Sequence, residues 1–311
     1  MKWPAGPLRE WAKALALALA LLAVLHLFVV RWVTVANTSM YSTLLPGDLL
    51  LVERWTAFTG FHRGDIAVLR DPVQDDRAMF NRRLLVKRIV GLPGDVVELR
   101  KGELFINGMP VPAEPGETRS WSVRLRPGHN PDTLIEKLGL PKGYSLPGND
   151  LIDLPLNMRL ATVVEKMSVV AGLAPRANAK GSPDHIFPFS PDRPWNNDNY
   201  GPLRIPAAGD TLDLSPFNLP MYDRIISRYE SNTVEVMDGK LHVNGDASGK
   251  YRVRANYYFV LGDSRDASSD SRYWGFVPAD HLVGRAALVL FNAHVGNNIL
   301  PGSRTFHSLS N

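Results

Sequence analysis

The chain has 311 residues, 45% apolar and 21% charged, with a net charge of +4 and no cysteine. The missing cysteines exclude disulfides, thiolate metal sites and a cysteine nucleophile. With so small a charge and no dense Lys/Arg block, nucleic acid is not an expected partner. No His/Asp/Glu cluster shows ligand spacing, so neither a metal nor a cofactor is expected.

The first predicted element is a helix. Residues 14–30, ALALALALLAVLHLFVV, carry no charge, and Arg31, Trp32 and Val33 extend the run to 14–33. About 20 helical residues at ~1.5 Å each match a hydrocarbon core of ~30 Å. Trp11 and Trp32 bracket the run as interfacial aromatics do, and Arg31 is placed to snorkel. A cleaved signal peptide is the competing reading, given the basic start (Lys2, Arg9, Lys13). The core exceeds the usual ~7–15 residues, however, and Arg-Trp-Val-Thr-Val is a poor cleavage site. A single-pass anchor over 14–33 is therefore expected, with residues 1–13 cytoplasmic by their excess of Lys and Arg and the remainder beyond the outer face of the bilayer.

Residues 34–111 read as β structure. Apolar segments at 49–52, 66–69 and 84–90 alternate with Gly- and Pro-containing turns at 44–48, 63–65 and 91–95. Residues 97–108, VELRKGELFING, resemble 234–245, VEVMDGKLHVNG, a weak repeat that predicts two hairpins ending in Asn-Gly turns. Residues 112–222 differ: most of the chain's 24 prolines fall in this stretch, and proline at that density breaks helices and central strands. One helix is predicted over 131–138, with Pro131 and Asp132 at its start and Gly139 at its end, and another within 154–171. Residues 180–206 read as irregular loop. From 223 to 292 β structure returns, with a strong strand at 257–261, a polar loop GDSRDASSDSR at 262–272 and another apolar segment at 281–291. Residues 293–311 read as a tail. The fold class expected is mainly β: a β-rich catalytic domain with an N-terminal transmembrane helix and an irregular, partly helical insertion.

Ser39 follows the anchor closely, and a serine hydroxyl needs a base to become a nucleophile. None of the histidines sits in a convincing frame for a Ser-His-Asp arrangement. Lys87 interrupts the apolar strand 84–90 together with Arg88, and strand alternation sends the two to opposite faces. Burial brings a lysine from ~10.4 down to ~7–8, where it can take a serine proton. On the residues alone, Lys87 as an outward-facing strand cation competes with Lys87 as a base.

Three motifs occur in order behind the apolar helix: SMYSTL at 39–44, KRIVGLPGD at 87–95 and GDSRDASSDSR at 262–272. Together they resemble bacterial type I signal peptidase, over roughly residues 10–111 and 223–292. The resemblance implies a Ser/Lys dyad with Ser39 as nucleophile and Lys87 as general base. It also implies that Ser268 orients the lysine and that Asp270 and Arg272 brace the loop. Ser39's own N–H would be one oxyanion donor. The family's second donor is commonly a Ser or Thr two residues before the nucleophile, and here that residue is Asn37. Ser42 stands where the family motif usually has proline. The implied reaction is hydrolysis through an acyl-enzyme, after small residues at A-x-A-like sites. The implied partners are signal peptides of exported preproteins and the lipid bilayer, at the bacterial cytoplasmic membrane. Two other readings stand beside it: a related Ser/Lys protease with one dedicated precursor, and a non-catalytic anchored binding domain.

Overall fold

The apolar N-terminal run divides between two conformations in the computed structural model, which describes residues 5–138, 140, 151–247, 249–292 and 304–309. Helix α1 (Ala5–Val24) continues through a wider turn (Leu25–Val29), and the chain then becomes strand β1 (Val30–Thr34). The helix expected over 14–33 is corrected at its end. Val30, Val33 and Thr34 are β-branched, and β1 pairs antiparallel with β2 (Asp48–Glu53). Alternation buries Val33 and leaves Trp32 exposed. No helix among the described residues is long and apolar enough to cross a membrane; Arg9, Glu10 and Lys13 lie in the first half of α1. Lys2, the stop at Gly139 and residues 293–303 of the tail lie outside the described residues.

The chain then runs through α2 (Thr56–Thr59), β3 (Ile66–Arg70), β4 (Leu84–Gly91), β5 (Val96–Arg100), β6 (Glu103–Ile106) and β7 (Met109–Pro110). Next come β8 (Arg119–Leu125), α3 (Pro131–Lys137), β9 (Leu151–Leu156), α4 (Met158–Glu165), β10 (Val170–Pro175), β11 (Tyr200–Arg204), β12 (Thr211–Asp213) and α5 (Leu219–Arg224). It finishes with β13 (Val234–Met237), β14 (Lys240–Val243), β15 (Asp246–Ala247), β16 (Lys250–Arg252), β17 (Tyr257–Leu261), α6 (Ser271–Trp274), β18 (Val277–Pro278), β19 (Leu282–Asn292) and β20 (His307–Ser308). The fold is mainly β.

The main sheet has the order β1-β2-β19-β3-β4-β17-β18, with β20 on β19. Its central strands are covered on both faces, so they read as continuous apolar runs. In β3, Ile66 and Val68 join one core cluster and Ala67 and Leu69 another. In β17, Tyr257, Phe259 and Leu261 face a third cluster while Tyr258 and Val260 face the second. Lys87 shares the face of Leu85 and Ile89, and Arg88 the opposite one. Both cations are buried, at 2% and 5% exposure, which removes the outward-facing reading of either.

The stretch 112–222 is more regular than its prolines suggest. It holds a three-stranded antiparallel sheet, β10-β8-β9, closed by α3 and α4 around their own core. Asn130 caps α3 by accepting Asp132 N at 2.8 Å, and Asn157 caps α4 by accepting Leu160 N at 2.8 Å. The helix expected within 154–171 is confined to α4 and flanked by strands. Pro155 and Pro175 sit in the outer strands β9 and β10, where a missing N–H costs no ladder bond. Residues 180–206 also depart from the irregular loop expected. They end in β11, which pairs with β5 and puts Tyr200, Leu203 and Ile205 into the core.

The weak repeat folds as two matching three-stranded hairpins, β5-β6-β7 and β13-β14-β15. In each, the Asn-Gly turn carries positive φ at both residues (Asn107 and Gly108, Asn244 and Gly245). In each, the Asn side chain accepts a backbone N–H, from Val96 at 2.8 Å and from Thr233 at 3.0 Å.

Candidate active site

Ser39 lies in the loop between β1 and β2, and Lys87 in the middle of β4. The two line one cavity of about 450 Å³ with Asn37, Leu85 and Trp274. Ser39 is 7% exposed. Its carbonyl accepts Ser264 N at 3.0 Å, which ties the Ser39 loop to the 262–272 loop.

Lys87 Nζ donates to Ser268 Oγ at 3.0 Å. Burial lowers the Lys87 pKa from its ordinary value to about 8, opposed by the nearby Asp270 and Asp263 carboxylates and assisted by Arg272 and Arg83. A lysine in that range is neutral often enough at neutral pH to act as a base. Gly262 makes this packing possible. A Cβ there would lie 2.2 Å from Ser268 Oγ and 2.5 Å from the Ser39 carbonyl oxygen, so only a residue without a side chain fits between the two serines.

Asp270 and Arg272 form the floor of the loop. Arg272 donates to Asp270 through Nε and Nη2, each at 2.9 Å, and both side chains are buried. Asp270 also accepts Gly262 N at 3.0 Å and caps α6 through Arg272 N. Burial pushes the Asp270 carboxyl up, but Arg272, Lys87 and the Gly262 N–H outweigh it and hold the group below the usual carboxylate range. Arg272 reaches further, to the carbonyls of Asn197 at 3.2 Å and Arg265 at 2.5 Å.

Asn37 meets Ser39 differently from the expectation. Its side-chain carbonyl Oδ1 accepts the Ser39 hydroxyl at 2.9 Å and the Ser39 N–H at 3.4 Å. Among the described residues no hydrogen bond joins the Ser39 and Lys87 side chains; each is held by another neighbour.

Several residues of the site escaped the sequence reading. Asp263 grips Arg88 in two bonds, to Nε at 2.8 Å and Nη2 at 2.6 Å, and accepts Thr43 Oγ1 at 2.5 Å. Residues 116–120, assigned by sequence to the insertion, run between the Ser39 loop and the 262–272 loop. Ser42 N donates to Gly116 O at 3.1 Å, a bond that proline at this position would forfeit. Thr118 N donates to Asp263 O at 2.8 Å, its hydroxyl to Tyr41 O at 3.1 Å, and its carbonyl accepts Arg265 N at 2.9 Å. Glu117 forms a buried ion pair with Arg265 at 2.5 Å and a half-buried one with Arg119 at 2.8 Å. The density of charge in 117–119 opposite that in 262–272 was the available signal, but no motif paired the two.

A family model described as signal peptidase, peptidase S26, matches residues 8–146 and 220–291. The match takes in Ser39, Lys87, the 116–120 segment and the 262–272 loop. The chain is similar to signal peptidase I of Buchnera aphidicola subsp. Baizongia pistaciae, 22% identical over 278 residues, covering 87% of this chain and 73% of that protein. It is also similar to signal peptidase I of Bacillus amyloliquefaciens, 35% identical over 146 residues, covering 46% of this chain and 72% of that protein. Against the Bacillus subtilis relatives signal peptidase I P and I S, the matched stretch spans 50–52% of their length. A solved signal peptidase I from Enterococcus faecalis is 17% identical over 73% of this chain and 96% of that one, at a TM-score of 0.26, too low to show a shared fold.

Proposed function

The chain belongs to the signal peptidase family, peptidase S26, and is a serine endopeptidase; from that premise we propose that it removes signal peptides from exported preproteins with a Ser39/Lys87 dyad. The observation that carries the reading is the pairing, in one cavity, of Ser39 with a buried lysine whose pKa has fallen to about 8.

In the proposed reaction, neutral Lys87 Nζ takes the Ser39 proton as Ser39 Oγ attacks the scissile carbonyl carbon. The resulting Lys87 ammonium gives that proton to the leaving amine, the C–N bond breaks, and the signal peptide stays on Ser39 as an ester. Lys87 then takes a proton from water, the hydroxide attacks the ester, and the proton returns to Ser39. The 3.0 Å bond from Nζ to Ser268 supports an orienting role for Ser268, and the Asp270–Arg272 pair supports the loop that carries it.

The Ser39 N–H and the Asn37 amide are the proposed oxyanion donors. In the free protein they face each other through Asn37 Oδ1, so carbonyl binding has to turn the amide and present Nδ2. The Ser39 hydroxyl must at the same time leave Asn37 for Lys87.

The apolar part of α1 is the proposed anchor. Leu15, Leu17, Leu19, Leu21 and Leu22 project around the helix and are all exposed, and a helix apolar all round belongs in lipid. Residues 14–29 are roughly 24 Å long at ~1.5 Å each. That is short of an average hydrocarbon core, a mismatch met by local thinning and by snorkelling of Arg31. Arg9 and Lys13 support a cytoplasmic N-terminus, with the β domain on the outer face, where the cut site of a membrane-held signal peptide emerges.

The test is incubation of the detergent-solubilised chain with a preprotein and sequencing of the new N-terminus. Wild type should cut after a small residue, while Ser39→Ala and Lys87→Ala, each folded by circular dichroism, should show no product. Near-normal cleavage by Lys87→Ala would sink the dyad. Cleavage of one precursor among several unrelated preproteins would favour a dedicated protease instead.

A further inference from the structure

Residues 304–309 lie beyond the family match, yet they touch the segment that carries Ser39. His307 and Ser308 pair with Val289 and Leu288, and Leu309 N donates to Ala287 O at 2.9 Å. The Leu309 side chain packs on the cluster that holds Met40 and Leu44. This short strap delivers Arg304 to the turn after the nucleophile. Arg304 Nη2 donates to Thr43 O at 3.1 Å and Nε to Asp48 Oδ1 at 2.9 Å, and Nη2 also pairs with Asp48 Oδ2.

Asp48 is fully buried. Its carboxylate accepts Leu45 N and Asn292 Nδ2, each at 2.8 Å, and Arg304 is its paired cation. Removing that cation leaves a buried charge without its counter-ion, and the turn must shift to hydrate it. The shift passes to the nucleophile by two short routes. Leu44 N donates to Met40 O at 2.8 Å, next to Ser39. Thr43 Oγ1 donates to Asp263, whose partner Arg88 neighbours Lys87.

We propose that Arg304 is a positioning residue, holding the 43–48 turn so that Ser39 stays in register with Lys87. The inference rests on the Ser39/Lys87 reading above. The experiment measures preprotein cleavage by the full-length chain carrying Arg304→Met, Arg304→Lys or Leu309→Gly, beside wild type and Ser39→Ala. Because a displacement of ~1 Å at a reacting group costs up to ~100-fold in rate, Arg304→Met should lower kcat by about tenfold or more with KM within about twofold. The pH midpoint of the activity should stay where wild type has it, since Lys87 keeps its surroundings. Arg304→Lys, which retains the charge on Asp48, should recover kcat to within about threefold of wild type. Leu309→Gly loosens the strap without unpairing Asp48 in the core, and should show a smaller loss confined to kcat. It also decides the matter if Arg304→Met does not fold. A kcat within about twofold of wild type in a folded Arg304→Met or in Leu309→Gly, or a loss confined to KM, overturns the proposal. Wild type that does not cleave, or Ser39→Ala that does, overturns the underlying reading instead.

Discussion

Lys87 is charged at a cost. Its side chain sits at 2% exposure and keeps only a pKa of about 8. Activity is expected to rise about tenfold per pH unit below that value and to level off above it, because in the proposed dyad only neutral Lys87 accepts the Ser39 proton; a pH profile of kcat/KM checks this, and a maximum well below neutrality contradicts it. The same depression acts on stability. The unfolded lysine, with the higher pKa of 10.5, binds more protons than the folded one between about pH 8 and 10.5. Stability therefore rises with pH across that window, and below it the full penalty holds, roughly 3 kcal/mol at ~1.4 kcal/mol per pKa unit. Lys87→Met, which removes the charge at similar volume, should stabilise the fold at pH 7 by about 1–3 kcal/mol and lose that gain near pH 10. Urea unfolding at the two pH values measures it. An equal or lower stability at pH 7 would mean that the bond to Ser268 outweighs the desolvation. At this scale the sequence was informative about identity and silent about geometry. Lys87 stood out because an apolar strand rarely admits a cation. Nothing in the order of residues told that Asn37 would turn its carbonyl toward the Ser39 hydroxyl.

Elements carried their own lesson. The strands at 66–69, 84–90 and 257–261 were legible because strands covered on both faces leave unbroken apolar runs. Helix α3 was legible from the proline and aspartate at its start. The sheet β10-β8-β9 was hidden by prolines that an outer strand tolerates. Residues 116–120 were hidden for a different reason: their partners, at 41–43 and 263–266, lie far away in sequence, and pairing at that distance leaves no local pattern. At Gly262 the Ser39 loop and Ser268 leave no room for a Cβ. Gly262→Ala should push Ser268 away from Lys87 and lower kcat by about 100-fold or more, since the lysine loses its orienting bond. Steady-state kinetics on the folded variant tests this, and a kcat within about threefold of wild type would show that the loop has room to move.

Among the described residues, helix α1 is the large apolar surface set apart from the cores described above, and the β domain begins cleanly at β1. A chain starting at residue 30 should fold, no longer sediment with phospholipid vesicles, and still cut a soluble signal-peptide substrate; vesicle flotation and peptide cleavage read the two properties separately. Flotation equal to that of the full chain would place membrane attachment in the β domain instead. The thread 116–120, clamped between the Ser39 loop and the 262–272 loop, has one more consequence, for the order in which the protein is made. Ser39 and Lys87 leave the ribosome early. Their clamp closes only after Asp263, Arg265, Ser268 and Asp270 have followed, close to the end of translation. On the proposed dyad, a nascent chain therefore carries nucleophile and base for most of its synthesis as an inert polymer. A message cut short before codon 262 is expected to yield a fragment with both proposed dyad residues and no proteolytic power.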